Sequence, residues 1–143
     1  MTKQNAPESP EISMDEVLAM PEGDYMNAKQ LDFFRAMLQH MRDDLLENGQ
    51  ATIHHLQETE ATPDEADRAT QEEEHVLEQR IRDRERKLIH KIDQALDRIA
   101  NGTYGYCEAS GEPIGLRRLI ARPTATLCIE EQERHEREER MFR

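Results

Sequence analysis

The sequence predicts a mainly α protein, built as a long antiparallel coiled-coil hairpin with a small turn-rich knob and a C-terminal helix. Three observations carry this. Apolar residues recur at alternating spacings of three and four over two stretches of about 30 residues, the pattern of a seam between helices. All six Gly and Pro residues between the second stretch and the C-terminus fall in one short segment, 102–123. Hydrophobic residues are 36%, charged residues 35% and aromatics 4% of the 143 residues, which is too lean for a compact globule and suits helices that bury only a stripe.

Residues 1–26 are polar and contain Pro7, Pro10 and Pro21. Ser13-x-x-Glu16 has the form of a capping box and predicts a short helix over Met14–Met20. Residues 27–100 form the hairpin. Its first helix carries Leu31, Phe34, Leu38, Met41 and Leu45, weakens at Asn48-Gly49, and resumes at Ile53 and Leu56. Gly49 lowers helix stability locally by roughly 1 kcal/mol relative to Ala. The tip lies near residues 60–69. There Thr62 suits an N-cap, Pro63 the first helical position and Glu65 the reciprocal capping site. The second helix runs to about Ala100 with Leu77, Ile81, Leu88, Ile92, Ala95 and Ile99 as its seam, and Asn101-Gly102 ends it. At 1.5 Å per residue the arm is expected to be roughly 45 Å long.

Residues 101–125 form the knob, and residues 126–143 return to helix. Glu130/Arg134, Glu133/Arg137 and Glu136/Arg140 there are i,i+4 pairs of the favourable orientation. In the knob, Cys107, Ser110, Cys128 and Glu131 occupy the frame C-x2-C-x17-C-x2-C, so the knob is zinc-ribbon-like with half its thiolates replaced. A serine hydroxyl stays protonated and is a poor zinc ligand. Metal is therefore expected to be dispensable, with zinc not required and Cys107 and Cys128 as vestigial positions; the alternative is a weak or adventitious site that Glu131 joins, with His135 one helical turn later. A disulfide is not expected in a reducing compartment.

A formal charge of -12 argues against direct DNA or RNA binding, which requires a basic footprint. No apolar run of about 18 residues is present, and the N-terminus lacks the basic start and apolar stretch of a secretory signal. A soluble cytoplasmic protein is expected. The chain has no GxSxG, Walker A, GxGxxG or HExxH motif, so an enzyme is not expected. His54 and His55 point about 100° apart on a helix and cannot jointly hold a metal.

Two clusters invite function. Asp64 and Asp67 stand three residues apart at the hairpin tip. They serve either as first-turn carboxylates opposing the helix dipole or as an acidic probe for a basic or metal-containing cavity. The run Arg82-Asp-Arg84-Glu-Arg86-Lys87-Leu88, with Lys91 beyond it, is the most basic stretch of an acidic chain. It is either a solvated, self-paired helix face or, with Arg122 of the knob, part of an anion site.

Several stretches together resemble the DksA/TraR family of RNA polymerase-binding transcription factors, over about residues 24–138. They are Tyr25-Met26-Asn27 with Gln30-Leu31 and Phe34-Arg35, the tip Pro63-Asp64-x-x-Asp67-Arg68-Ala69, Gln71-Glu-Glu-Glu74, and Arg82 through Ile89. Tyr104-Gly105-Tyr106-Cys107, Ile114-Gly115-Leu-Arg117-Arg118-Leu119, Ala121-Arg122-Pro123 and Leu127-Cys128-Ile129 complete the set. The resemblance implies a coiled coil that enters the secondary channel of RNA polymerase and destabilises open promoter complexes, in synergy with guanosine tetraphosphate (ppGpp). It implies that Asp64, Asp67 and Ala69 form the tip facing the active centre. Lys87, Leu88, Lys91 and Arg122 match the ppGpp positions. The half-lost cysteines resemble the family's cysteine-poor, zinc-independent members. Gln132 stands where other members carry a Lys near the nucleotide, which should weaken ppGpp binding without abolishing it. A monomer is expected, because the hairpin satisfies its own seam. The alternative is a coiled-coil adaptor for a different partner.

Overall fold

The computed structural model describes residues 12–60 and 68–142. These fall into two compact units, one comprising the described residues up to Gln39 and those from Gln94 onward, the other His40–Asp93. Five helices are present among the described residues: α1 (Met14–Ala19), α2 (Ala28–Glu60), α3 (Arg68–Asn101), α4 (Leu116–Ala121) and α5 (Ile129–Met141), with a 3-10 turn at Glu22–Asp24. The sole β feature among them is an isolated bridge between Tyr106 and Pro113.

In the unit around the knob, the Ser13 hydroxyl accepts the Glu16 N–H and caps α1, as the Ser13-x-x-Glu16 spacing predicts. Val17 on α1 is fully buried, and α1 packs on α4. The start of α2 is fixed by a reciprocal capping box. The Asn27 side chain accepts the Gln30 N–H at 2.8 Å, and the Gln30 side chain accepts the Met26 N–H at 2.7 Å. Gln30 is the buried polar residue of the core, so this bond also meets its need for a partner. The core gathers Phe33, Phe34 and Leu38 from α2, Ala95 and Ile99 from α3, and Tyr104, Cys107, Ile114 and Leu119 from the knob. Phe34 meets Tyr104 with ring centroids 5.5 Å apart.

The end of α3 is a Schellman motif. The Thr103 N–H reaches the Arg98 carbonyl at 2.9 Å and the Gly102 N–H reaches that of Ile99, with Gly102 at φ +81°, where a Cβ would be strained. The C-terminal helix begins at Ile129 with Cys128 in the N-cap position, three residues later than expected. The expected Glu130/Arg134, Glu133/Arg137 and Glu136/Arg140 pairs are not its ion pairs. Arg134 lies between Glu131 (3.8 Å) and Glu138 (3.5 Å), and His135 pairs with Glu139. Arg134, Glu138, His135 and Glu139 are well exposed, so the exchange of partners has little energetic weight.

In the other unit, α2 and α3 pack together as a hairpin. Arg42 donates to Asp93 at 3.0 Å, and further along the Glu85 carboxylate lies against Gly49, the order that antiparallel helices require. Ile53 and Ile92 are buried, while Met41, Leu45, Leu46, Leu56, Ile81 and Leu88 are half-buried. The expected seam needs one correction. Leu77 is 46% exposed, whereas the side chain of Glu78 is only 13% exposed. The seam of α3 runs through Gln71, Glu74, Glu78, Ile81, Glu85, Leu88 and Ile92, a strict alternation of three and four in which four positions are polar. The register set by Ile81, Leu88 and Ile92 turns residue 77 outward, whatever its hydrophobicity. Gly49 has a packing reason as well. A Cβ there would collide with the Glu85 carboxylate, so the glycine leaves room for a polar side chain in the seam.

Candidate functional site

Asp64 and Asp67 lie outside the described residues, as does the expected cap Thr62-Pro63. Ala69 is the second residue of α3. Just after it, Glu72 and Glu73 are exposed, and Val76 and Leu77 add an exposed apolar pair. This end of the unit is therefore acidic with a small apolar surface beside it.

Further along α3, the basic run is partly self-paired. Arg82 binds Glu78 and Arg86 lies 3.4 Å from Asp83, both within the helix. Lys87 and Lys91 are exposed, and among the described residues neither is in an ion pair. They stand one helical turn apart on one face, with half-buried Leu88 between them in sequence. In the knob unit, Arg122 is exposed at the C-terminal end of α4, and its N–H bonds the Arg118 carbonyl at 2.7 Å. The Gln132 side chain donates to Glu136 on its own helix.

The cysteine frame is a turn held by hydrogen bonds. The Cys107 N–H reaches the Glu112 carbonyl at 2.8 Å, the Gly111 N–H returns to the Cys107 carbonyl at 2.9 Å, and Gly111 takes φ +76° to close the turn. Burial alone would push the Cys107 thiol up. The Ser110 hydroxyl and the backbone N–H groups of Cys128, Ser110 and Ala109 outweigh it and hold the thiol down at about 7. The Ser110 hydroxyl also lies 3.9 Å from the Cys128 sulfur. Both thiols are free.

This arrangement does not fit a tetrahedral zinc cage. Zinc in a structural site takes four good donors, and two of the four positions here are Ser110 and Glu131. The Glu131 carboxylate is already 3.8 Å from Arg134. Among the described residues no group of three or more His, Cys, Asp or Glu side chains is placed to share an ion.

Tyrosine hydroxyls tie the parts of the knob together. Tyr25 donates to the Gly105 carbonyl at 2.6 Å and accepts the Gly115 N–H at 3.0 Å, bridging the two ends of the cysteine turn. Tyr104 is 1% exposed and donates to the Pro123 carbonyl at 2.7 Å. Burial pushes the hydroxyls of both Tyr25 and Tyr104 above their ordinary range. Sequence reading missed the Tyr25 bridge, since its partners lie 80 and 90 residues away.

Comparison with known proteins agrees with this geometry. Residues 30–99 match the model of the DnaK suppressor protein DksA N-terminal domain, and residues 102–137 match that of the prokaryotic dksA/traR C4-type zinc finger. The chain is 56% identical over 120 residues to the RNA polymerase-binding transcription factor DksA of Caulobacter vibrioides, covering 83% of this chain and 84% of that one. It is 50% identical over 111 residues to the RNA polymerase-binding transcription factor DksA of Escherichia coli K12, covering 77% of this chain and 74% of that one. The solved structure of transcription factor DksA2 from Pseudomonas aeruginosa superposes with a TM-score of 0.80 at 48% identity, over 90% of this chain and 99% of that one. The hairpin of α2 and α3, the cysteine turn of the knob and the two family matches that span them together make this chain a member of the DksA/TraR family.

Proposed function

We propose that this protein is a regulator of transcription that binds RNA polymerase and performs no chemistry of its own. The observation that carries the reading is the 56% identity over 83% of the chain to a relative named as an RNA polymerase-binding transcription factor. In this reading the hairpin enters the secondary channel and brings Asp64, Asp67 and Ala69 towards the active centre. An acidic tip there acts on basic residues and on the magnesium environment in a medium of reduced dielectric, where charges interact strongly. It biases a polymerase conformational equilibrium towards the state that releases open promoter complexes.

The co-effector in this proposal is ppGpp, held by Lys87, Leu88, Lys91 and Arg122. The support on this chain is that both lysines are exposed and free of ion pairs among the described residues, while Arg82 and Arg86 beside them are engaged. Gln132 supplies no charge, so binding is weaker than with a lysine there. One charge-assisted hydrogen bond accounts for about 1.5–3 kcal/mol. The protein acts as a cytoplasmic monomer and needs no zinc, since hydrogen bonds from Tyr25, Tyr104 and Ser110 occupy the role of the cage. Such a form suits cells short of zinc.

The test is Asp67→Asn. The variant should bind polymerase with unchanged affinity and fail to shorten the lifetime of open complexes at a ribosomal promoter. If polymerase is not bound even by the unaltered chain, the adaptor reading takes its place.

A further inference from the structure

Where α1 passes into α2, a buried donor is matched to a weak acceptor. Gln30 is fully buried, and its side-chain oxygen accepts the Met26 N–H at 2.7 Å. Its amide nitrogen donates to the Met20 sulfur at 3.4 Å, and the Asn27 amide donates to the same sulfur at 3.5 Å. Among the described residues neither amide nitrogen donates to an oxygen. A thioether accepts only weakly, and a buried donor with a poor partner costs stability. Both side chains are held in place by the capping box that starts α2. Met20 is half-buried and lines a groove of about 690 Å³ with Leu18, Pro21, Ile114 and Leu116. The sulfur thus has two amide donors against it and belongs to a wall that small solutes reach.

An oxygen on that sulfur would give the amides the acceptor they lack, at an ordinary N–H···O distance of about 2.9 Å. We propose that Met20 is a site of reversible oxidation to the sulfoxide by an oxidant of the peroxide class, and that the Asn27 and Gln30 amides receive the new oxygen. In the step, a sulfur lone pair attacks one oxygen of the peroxide. The S–O bond forms and the O–O bond breaks. The departing hydroxide takes the proton of the transferred hydroxyl and leaves as water. Sulfur is oxidised by two electrons and the peroxide is reduced by two. The sulfoxide sulfur is a stereocentre, and two fixed donors favour the configuration that turns the oxygen towards them. Met20 sulfoxide therefore forms mainly as one epimer. Its return to the thioether needs a sulfoxide reductase, and each of the two reductase classes acts on one epimer. Met26, Met37 and Met41 are half-buried too, but among the described residues no amide donates to their sulfurs.

The experiment treats the folded full-length protein with hydrogen peroxide, digests it, and follows each methionine by peptide mass spectrometry. Met14 and Met141, 46% and 81% exposed, are the internal standards. Met20 sulfoxide should appear ahead of the sulfoxides of Met26, Met37 and Met41. The peptides are then divided between the two reductase classes. One class should restore Met20 and the other should not, with an epimer ratio of about tenfold, which one well-made hydrogen bond supports. At Met14 and Met141 each class should restore about half. Asn27→Asp keeps the oxygen that caps α2 but removes one donor to the sulfur. In that variant the ratio at Met20 should fall towards that at Met14, with helix content by circular dichroism unchanged. Equal epimers at Met20 in the unaltered chain would overturn the proposal. So would a ratio untouched by Asn27→Asp, or oxidation of Met20 no faster than that of the other half-buried methionines.

Discussion

Replacing Tyr25 by Phe removes one oxygen and leaves the ring, so the packing of Tyr25 against Tyr106, at 5.6 Å between centroids, is retained. What is lost is the bridge from residue 25 to the Gly105 carbonyl and the Gly115 N–H. Each bond contributes about 1 kcal/mol net, and leaving a partly buried partner unpaired adds to the loss. The sum is roughly 2 kcal/mol. With a urea m-value of about 2 kcal/mol/M, the midpoint should fall by about 1 M. The chain has no Trp, and its three tyrosines, Tyr25, Tyr104 and Tyr106, all belong to the knob unit. Tyrosine fluorescence therefore follows this unit alone. The measurement is made with a chelator present throughout. A midpoint shift under about 0.2 M, with the m-value unchanged, would refute the idea that tyrosine hydroxyls hold the knob without a metal.

Gly49→Ala should add about 1 kcal/mol of helix stability only when Glu85 is also replaced by Ala; with Glu85 present the gain shrinks, because the new Cβ must displace its carboxylate. Thermal unfolding of the four combinations reads that coupling, and equal gains in both backgrounds would contradict the packing. Asn27→Ala should cost about 0.5–2 kcal/mol through loss of the α2 cap, and urea unfolding measures it. Tyr25 and Tyr104 have raised hydroxyl pKa values, so the folded state favours their neutral forms. Stability from them is complete below pH about 10 and falls as pH rises beyond it, with Tyr25 and Tyr104 titrating late in the ultraviolet. Lys91→Ala should reduce the stimulation by ppGpp in a purified transcription assay by about tenfold in the concentration required, while the effect without ppGpp stays intact.

The helices were legible because their signals are local. Ser13 and Glu16, Asn101 and Gly102, and the apolar spacing of Ile81, Leu88 and Ile92 act over a turn or two, and each is found in place. The position of Leu77 was misread because an apolar residue was preferred to Glu78, one position on. The hairpin accepts glutamates in its seam at 74, 78 and 85, which hydrophobic patterning cannot detect. The Asn27–Gln30 box was not read from its spacing, and the complete burial of Gln30, whose amide also reaches the Met20 sulfur, is visible only in the folded chain. Tyr25 was legible only as part of a family motif. Its contacts join residues far apart in the chain, and no short-range rule announces them. The cysteine frame was legible as a spacing, whereas the backbone hydrogen bonds that close its turn needed coordinates. The tip residues Asp64 and Asp67 rest on the family resemblance and on charge.

In the function proposed above, a chain with half a metal cage regulates RNA polymerase through its hairpin tip. Run-off transcription from a ribosomal promoter tests it most directly, with chelator-treated protein added in the presence and absence of ppGpp. Fewer transcripts are expected with the metal-free protein, a deeper reduction with ppGpp, and no reduction with Asp67→Asn. Full transcript levels with the metal-free protein, restored to repression by zinc, would contradict it.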